Sequence, residues 1–439
     1  MRDLWTDFAD ESLLTEVIGQ GGGLRQRRPN EQAVLAALRA WLLEEYMLPY
    51  GTSLGATRIF KRCYWIDGLG ASRSPAQIMP PLSQDEIAST KPRSRRKSAD
   101  AAPDLPPALS FAGATARQLA QLDRPIALQS FLLDEKSSKR RTARGEVTQP
   151  MDNTNGASAP LTLPKEGGLL PADWPELAPL LLNALEQSAA VFLLNPLQEG
   201  LFRYTDLAPL YQRTAPTELF LWLPHKRIAT HLLPDLRTPT GAAALTNLLR
   251  GDRWKTLLAR ATEDGEEKTE QRIHRLVELL AESMRVHFLT VQCLNFPLRT
   301  GPALVEAAPY SLLFATRRQD SLACMNDAVC KRTRRLIAES QQGVLNEEWF
   351  TTQREEQATL RGEALFRETL VLGRAQRVRR WPDLRQQLLL AHFGQHTLQD
   401  YDQVITRLLE SGNVYCEWRQ AQKVEETSIP GSSDLLHWK

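Results

Sequence analysis

The sequence predicts an α/β fold: a doubly wound, mostly parallel sheet, followed by a small C-terminal α+β module. Three observations predict it. Short unbroken apolar runs alternate with segments of helical period between residues 30 and 316, and parallel strands read as such runs because helices cover both of their faces. The apolar runs end at acids or turn-forming residues, at Asp67-Gly68, Asp134, Asn195-Pro196 and Pro224. Beyond residue 383 the order becomes helix, turn, helix, Gly, strand, which is the order of a winged helix; a plain α-hairpin with a frayed strand gives the same pattern.

The elements follow in order. Residues 1–29 are mixed, and Gly21-Gly22-Gly23 with Arg25, Arg27 and Arg28 reads as a flexible basic turn. Ala33, Val34, Ala37, Leu38, Trp41, Leu42 and Tyr46 recur at helical spacing behind Asn30, an N-cap residue type, so 30–47 is an amphipathic helix. Cys63 to Ile66 is a strand that enters a tight turn at Asp67-Gly68-Leu69-Gly70. The proline-rich, basic stretch near 76–115 and the Asn/Gly/Pro-rich stretch 145–168 offer too little apolar surface to offset ordering entropy, and are expected to be disordered insertions. Between them, Ile126 to Leu133 is a strand that ends at Asp134. Strands at 190–194, 218–223, 288–296 and 310–316 then alternate with helices at 174–187, 204–213, 241–249 and 266–287. Residues 336–382 form a helical connector, and 383–439 form the module and its tail.

Composition narrows the function classes. The chain has 439 residues, 42% hydrophobic and 24% charged, an ordinary balance for a globular protein. A formal charge of +2 excludes a histone-like or polyacidic protein. No apolar run approaches the ~20 residues of a spanning helix. The acids in Met1-Arg2-Asp3-Leu4-Trp5-Thr6-Asp7-Phe8 interrupt the apolar core a secretory leader needs. The five cysteines form no C-x-x-C pair, so a reducing cytoplasm is expected, with no membrane partner and no metal.

Four features carry chemical interest. Asp67, Gly68 and Gly70 form a glycine-containing turn at a strand end, where a backbone can approach a nucleotide-like ligand; an ordinary strand-to-loop turn has the same residues. Asp134 stands where a Rossmann-like sheet places an acid for ribose hydroxyls, although an exposed strand-end acid is the plain alternative and Glu135 is adjacent. Asn195-Pro196-Leu197-Gln198 follows a buried strand. In methyltransferases acting on exocyclic amines, a related Asn/Asp-Pro-Pro-Tyr turn accepts the amine hydrogens on its side chain and a backbone carbonyl, and its aromatic stacks on the base. Here that stacking surface must come from Phe202 or Tyr204, or the segment is simply a proline-terminated strand. Finally, Arg374, Arg377, Arg379 and Arg380 directly precede the C-terminal module, where they either neutralise phosphates or form a solvated charged face. His392 and His396 lie at i, i+4, but no H-E-x-x-H pattern surrounds them.

Several of these segments, in this order, resemble the three-Cys-motif partner protein family (TcmP) of bacteria and some phages. Tyr64-Trp65-Ile66-Asp67 with Ser74-Pro75 stands in place of the family's first strand, turn and Gly-Ser-Pro. Asn195-Pro196-Leu197-Gln198 stands for its Asp-Pro-Phe/Tyr-Gly turn, and Leu249 to Trp254 for its Phe-Gly-x-x-x-Trp element. Tyr310-Ser311-Leu312-Leu313-Phe314-Ala315-Thr316, then Ser321-Leu322-Ala323-Cys324-Met325, match its Tyr-Tyr-Leu-Ile-Phe-Ala-Thr strand and Gly-Leu-x-x-Met helix. The resemblance spans about 30–335. It implies a class I methyltransferase-like domain and a three-cysteine, radical-SAM-like partner. It also implies S-adenosylmethionine near Asp67, Gly68, Gly70 and Asp134, with Asn195 and Pro196 holding the acceptor amine. The chain departs from the family at both turns: Phe-Ala-Gly-x-Gly has become Leu69-Gly70-Ala71-Ser72-Arg73, and the Asp-Pro-Phe-Gly turn has lost its acid and its aromatic. The expectation is therefore a degraded methyltransferase-like scaffold that binds a partner protein or nucleic acid, with an active S-adenosylmethionine-dependent methyltransferase as the alternative.

Overall fold

The structure, a computed structural model, describes residues 31–70, 107–133, 163–165, 167–170, 172–197, 201–259, 266–295, 310–340, 347–376, 378–419 and 429–439. The chain divides into two compact units, Met1–Arg318 and Gln319–Lys439.

The first unit opens with α1 (Glu31–Trp41), a wide π-helical turn at Leu42–Tyr46, and α2 (Met47–Ala56). The sheet strands are β1 (Arg62–Asp67), β2 (Ala127–Leu133), β3 (Gly168–Leu170), β4 (Ala189–Leu194), β5 (Thr217–Pro224), β6 (Thr290–Leu294) and β7 (Tyr310–Thr316). Between them lie α3 (Pro107–Ala120), α4 (Trp174–Leu185), α5 (Tyr204–Gln212), α6 (Pro239–Leu249), α7 (Arg253–Ala259) and α8 (Glu266–Arg285). Short helical turns run from His225 to Asp235.

The seven strands form one sheet in the order β3-β2-β1-β4-β5-β7-β6. The pairs from β3 to β5 are parallel, whereas β7 runs antiparallel to both β5 and β6. This is an α/β fold on a mostly parallel, mixed sheet. Every residue of β4, β5 and β7 is buried, as expected of central strands covered on both faces.

Side-chain alternation assigns each face its cover. Tyr64, Ile66, Phe131, Phe192, Leu219, Leu221, Leu313 and Ala315 join one apolar cluster with Trp174, Leu181, Leu210, Leu245 and Met284 of α4, α5, α6 and α8. The opposite face holds Phe220 and Phe314, whose rings meet Tyr46 of the π-helical turn edge-on at 5.4 and 5.8 Å. Each fully buried Leu or Phe in these layers contributes roughly 1.5–3 kcal/mol, so the sheet and its helices form one cooperative core.

Two sequence expectations change. Helix α3 occupies 107–120 and so overlaps the end of the stretch near 76–115 expected to be disordered. Its buried Ala112, Thr115 and Leu119 recur at helical spacing, and Thr115 Oγ1 donates to the Leu43 carbonyl at 3.2 Å. The preceding prolines masked that period, yet Pro107 suits a first helical position. Likewise β3 begins at Gly168, the last residue of the second expected insertion, and pairs with β2 from Phe131. Residues 71–106 and 134–162 lie outside the described residues.

The second unit contains α9 (Gln319–Ser340), α10 (Glu347–Gln376), α11 (Trp381–Ala391), α12 (Leu398–Glu410) and an antiparallel pair, β8 (Val414–Glu417) with β9 (Leu435–Trp438). Helix α12 is capped by Thr397 and Asp400, which bond reciprocally. Tyr401, Val404, Ile405 and Leu408 are buried along one of its faces, and Gly412, at φ +68°, ends it. Asn326 and Asp327 of α9 hold the turn before α12: the Asn326 side chain bonds the His396 carbonyl and the Gly394 amide, and Asp327 accepts from the Leu398 amide. Strand β9, missed in the sequence, completes the hairpin.

Candidate functional site

The strand order reverses direction between β1 and β4, so the crevice of this sheet opens at the carboxyl ends of those strands. Asp67 lies in register with Leu132 of β2 and Leu193 of β4. The tips of β1, β2 and β4 therefore share one edge, and Asp67, Gly68, Gly70, Asn195 and Pro196 are brought to it together. Asp134, the residue after β2, lies outside the described residues, as does Arg73.

The Asp67 carboxylate is closed by the protein itself. Arg39, on the buried face of α1, donates from Nε to Asp67 Oδ2 at 2.6 Å and from Nη2 to Oδ1 at 3.0 Å. The same Nη2 donates to the Gly70 carbonyl at 2.8 Å, and the Leu69 amide donates to Asp67 Oδ1 at 3.0 Å. Arg39 is 2% exposed and Asp67 1%. This fork-on-carboxylate pairing is the geometry in which a buried ion pair is retained. Its donors engage both oxygens of the carboxylate.

The glycines are equally committed. The Gly68 amide donates to the Leu193 carbonyl at 2.7 Å, and a Cβ at Gly68 would stand 2.7 Å from Leu194 Cδ2. The absent side chain here serves strand packing. Gly70 turns the chain at φ +81°, a conformation that glycine adopts without steric cost.

At β4, Asn195 is buried and its Oδ1 accepts from the Leu197 amide at 2.9 Å, an Asx turn. The Pro196 carbonyl accepts from the Phe202 amide at 2.9 Å. Both oxygens that an amine acceptor would use thus take part in holding the turn. Phe202 packs against the core cluster, and Tyr204 has the Arg250 guanidinium 4.4 Å over its ring. The adjoining cavity, lined by Pro196, Leu197, Leu223, Ile228, Leu245 and Leu280, is wholly apolar and has a volume of about 20 Å³. That is about one water's worth of space. Among the described residues, the Asp67 carboxylate is buried and bonded to Arg39 and the Leu69 amide.

Two features escaped the sequence reading. Arg39 is one; the only sign of it was a single base within the apolar run Ala33 to Leu43. The other lies where β5 ends: His225 Nε2 sits 2.8 Å from Ser311 Oγ, and Ser311 is fully buried. Burial, with His274 nearby, pushes the His225 imidazole down to about 4, so it is neutral and serves as the hydrogen-bond partner of a buried hydroxyl.

In the second unit Arg374, Arg379 and Arg380 are exposed, and Arg377 lies outside the described residues. Other bases are consumed internally: Arg334 pairs with Asp400 at 2.6 Å, Arg385 with Asp402 at 2.9 Å, and Arg407 with Glu363 at 2.7 Å. His392 bonds Glu368 at 2.8 Å, and burial pushes His396 down to about 4. Among the described residues, no group of three or more His, Cys, Asp or Glu is placed to hold a metal ion, and no helix is long and apolar enough to cross a membrane. No protein-family model, curated protein or solved structure matches this chain.

Proposed function

We propose that this chain is a methyltransferase-like scaffold, of the kind its resemblance to three-Cys-motif partner proteins implies, and that it works by binding a macromolecular partner rather than by transferring a methyl group. The sheet supports the reading: it runs in doubly wound order, with an antiparallel β7 slotted between β5 and β6. One observation carries the scaffold conclusion over the active enzyme, namely the Arg39–Asp67 pair that seals the first strand's acid. The engaged oxygens of Asn195 and Pro196 point the same way. Titration with S-adenosylmethionine tests this reading; the active methyltransferase requires saturable binding and the scaffold requires none.

A second reading adds nucleic acid as the partner of a winged-helix-like module. Its favouring observation is that Arg374, Arg379 and Arg380 are exposed and close in the chain beside helix α11. Against it, α12, the helix such a module would present to a groove, carries Asp400, Asp402 and Glu410 with only Arg407. A gel-shift titration of duplex DNA and single-stranded RNA decides. Binding that weakens with salt and is lost when Arg374, Arg377, Arg379 and Arg380 are changed to Ala supports this reading. Binding unaltered by those changes removes the patch, and no binding leaves a protein partner.

A further inference from the structure

Two turns meet at the amino-terminal edge of the first unit's sheet. One, residues 57–61, joins α2 to β1; the other, residues 121–126, joins α3 to β2. The strands they enter are parallel neighbours, with Arg62 in register with Ala127. The Ala127 amide donates to the Lys61 carbonyl at 3.0 Å, and Arg124 Nη1 donates to the Ala56 carbonyl at 3.1 Å, so the turns are pinned side by side. Residues 56–62 and 117–127 carry five bases, Arg58, Lys61, Arg62, Arg117 and Arg124, against one acid, Asp123. The whole chain has 54 Lys and Arg for 52 Asp and Glu, so this corner concentrates positive charge that the rest of the chain balances. All five bases are exposed, and among the described residues none of them is in an ion pair. Arg213 and Arg317, at the same edge beside β5 and β7, instead spend donors on backbone carbonyls. Arg58 adds a second observation. It stands just past the end of α2 at φ 61°, a left-handed conformation in which glycine is the usual residue. Its side chain makes no hydrogen bond that offsets the cost, and backbone outliers of this kind gather at functional sites.

We propose that this corner is a contact for the phosphate backbone of duplex nucleic acid, bound by charge and without reading of the bases. Four of the five residues are arginines, whose planar fork matches two phosphate oxygens at once. A protein partner of ordinary kind needs an apolar centre to its contact, and a bilayer surface needs an apolar face to enter it. In these two turns the one large exposed apolar side chain is Ile59, at 76%, so neither requirement is met and charge is what the surface offers. The proposal shares with the winged-helix reading only the class of partner; it rests on other residues, in the other unit.

Fluorescence anisotropy of the full chain with a short random-sequence DNA duplex, over a salt series, tests the proposal. The expected logarithm of affinity falls against the logarithm of salt with a slope of about −4 to −5 when all five bases engage. Arg58→Gly, Lys61→Ala and Arg117→Ala together remove three side chains that make no bond within the protein, so the fold is kept, which circular dichroism checks. That triple variant is expected to bind at least about tenfold more weakly at low salt, with a slope shallower by about 3. Arg58→Gly alone separates binding from structure: it raises the urea midpoint, because glycine relieves the left-handed residue, and still weakens the duplex complex. A duplex affinity unchanged in the triple variant overturns the proposal. So does an Arg58→Gly chain that binds as tightly as the wild type, or a wild-type chain that binds phosphatidylserine vesicles and no duplex. Binding lost on changing Arg374, Arg377, Arg379 and Arg380 to Ala, yet kept in the triple variant, removes this contact and leaves the winged-helix reading standing. The reverse pattern supports this contact and removes the other.

Discussion

Asp67 shows how one side chain decides between two readings of a turn. Its type and its place at a strand end suit a cofactor contact, but Arg39 takes both of its oxygens. Removing one partner of a buried pair leaves an uncompensated charge, so Arg39→Ala is expected to cost about 3–5 kcal/mol of stability in urea unfolding. Arg39→Met with Asp67→Asn leaves no buried charge and is expected to cost less than half of that; equal losses would show that the pair is not what holds the turn. The positions of Asp67 and Asn195 were legible because each ends an apolar run. Arg39 was not, because it is 28 residues from its partner and only the fold brings them together.

Two buried imidazoles add a pH dependence at the same scale. His225 and His396 are both pushed down to about 4 by burial, from an ordinary value of 6.5. Between those values the unfolded chain binds the proton and the folded chain does not. Stability is therefore fully present above pH 6.5 and is lost progressively as pH falls toward 4, by at most roughly 1 kcal/mol per pH unit for each group. Urea midpoints measured from pH 7.5 to 4.5 check this, with His396→Asn flattening part of the slope. A slope unchanged in that variant would remove His396 from the account.

At the scale of elements, the hairpin of the second unit depends on a glycine in a helix. Trp438 of β9 lies against Gly373 of α10, where a Cβ would collide with the indole ring, while Trp438 Nε1 donates to the Val378 carbonyl at 2.7 Å. Helix propensity alone would make Gly373→Ala stabilising by up to about 1 kcal/mol. The collision reverses the sign, and a net loss of about 1–3 kcal/mol is expected from overpacking, accompanied by a shift in the near-ultraviolet tryptophan signal. A stabilised variant would mean that the hairpin does not seat on α10. The buried strands β4, β5 and β7 were legible as unbroken apolar runs, and α12 through its cap and its spacing. Helix α3 was obscured by the prolines ahead of it. Strands β3 and β9 span only three and four residues, too short for a period to show.

For the whole molecule, the alternation of strands and helices made the α/β class readable, because continuous burial writes itself into composition. The strand order was not readable, since it arises from long-range pairing such as that of β1 with β4. That pairing sets the tips near 67 and 195 on one edge, where Arg39, Leu197 and Phe202 bond Asp67, Asn195 and Pro196; in the proposed scaffold this packing takes the place of a cofactor. Isothermal titration calorimetry of the intact chain with S-adenosylmethionine tests this claim most directly. The account predicts no saturable heat up to high micromolar ligand; a one-to-one isotherm with micromolar affinity would contradict it.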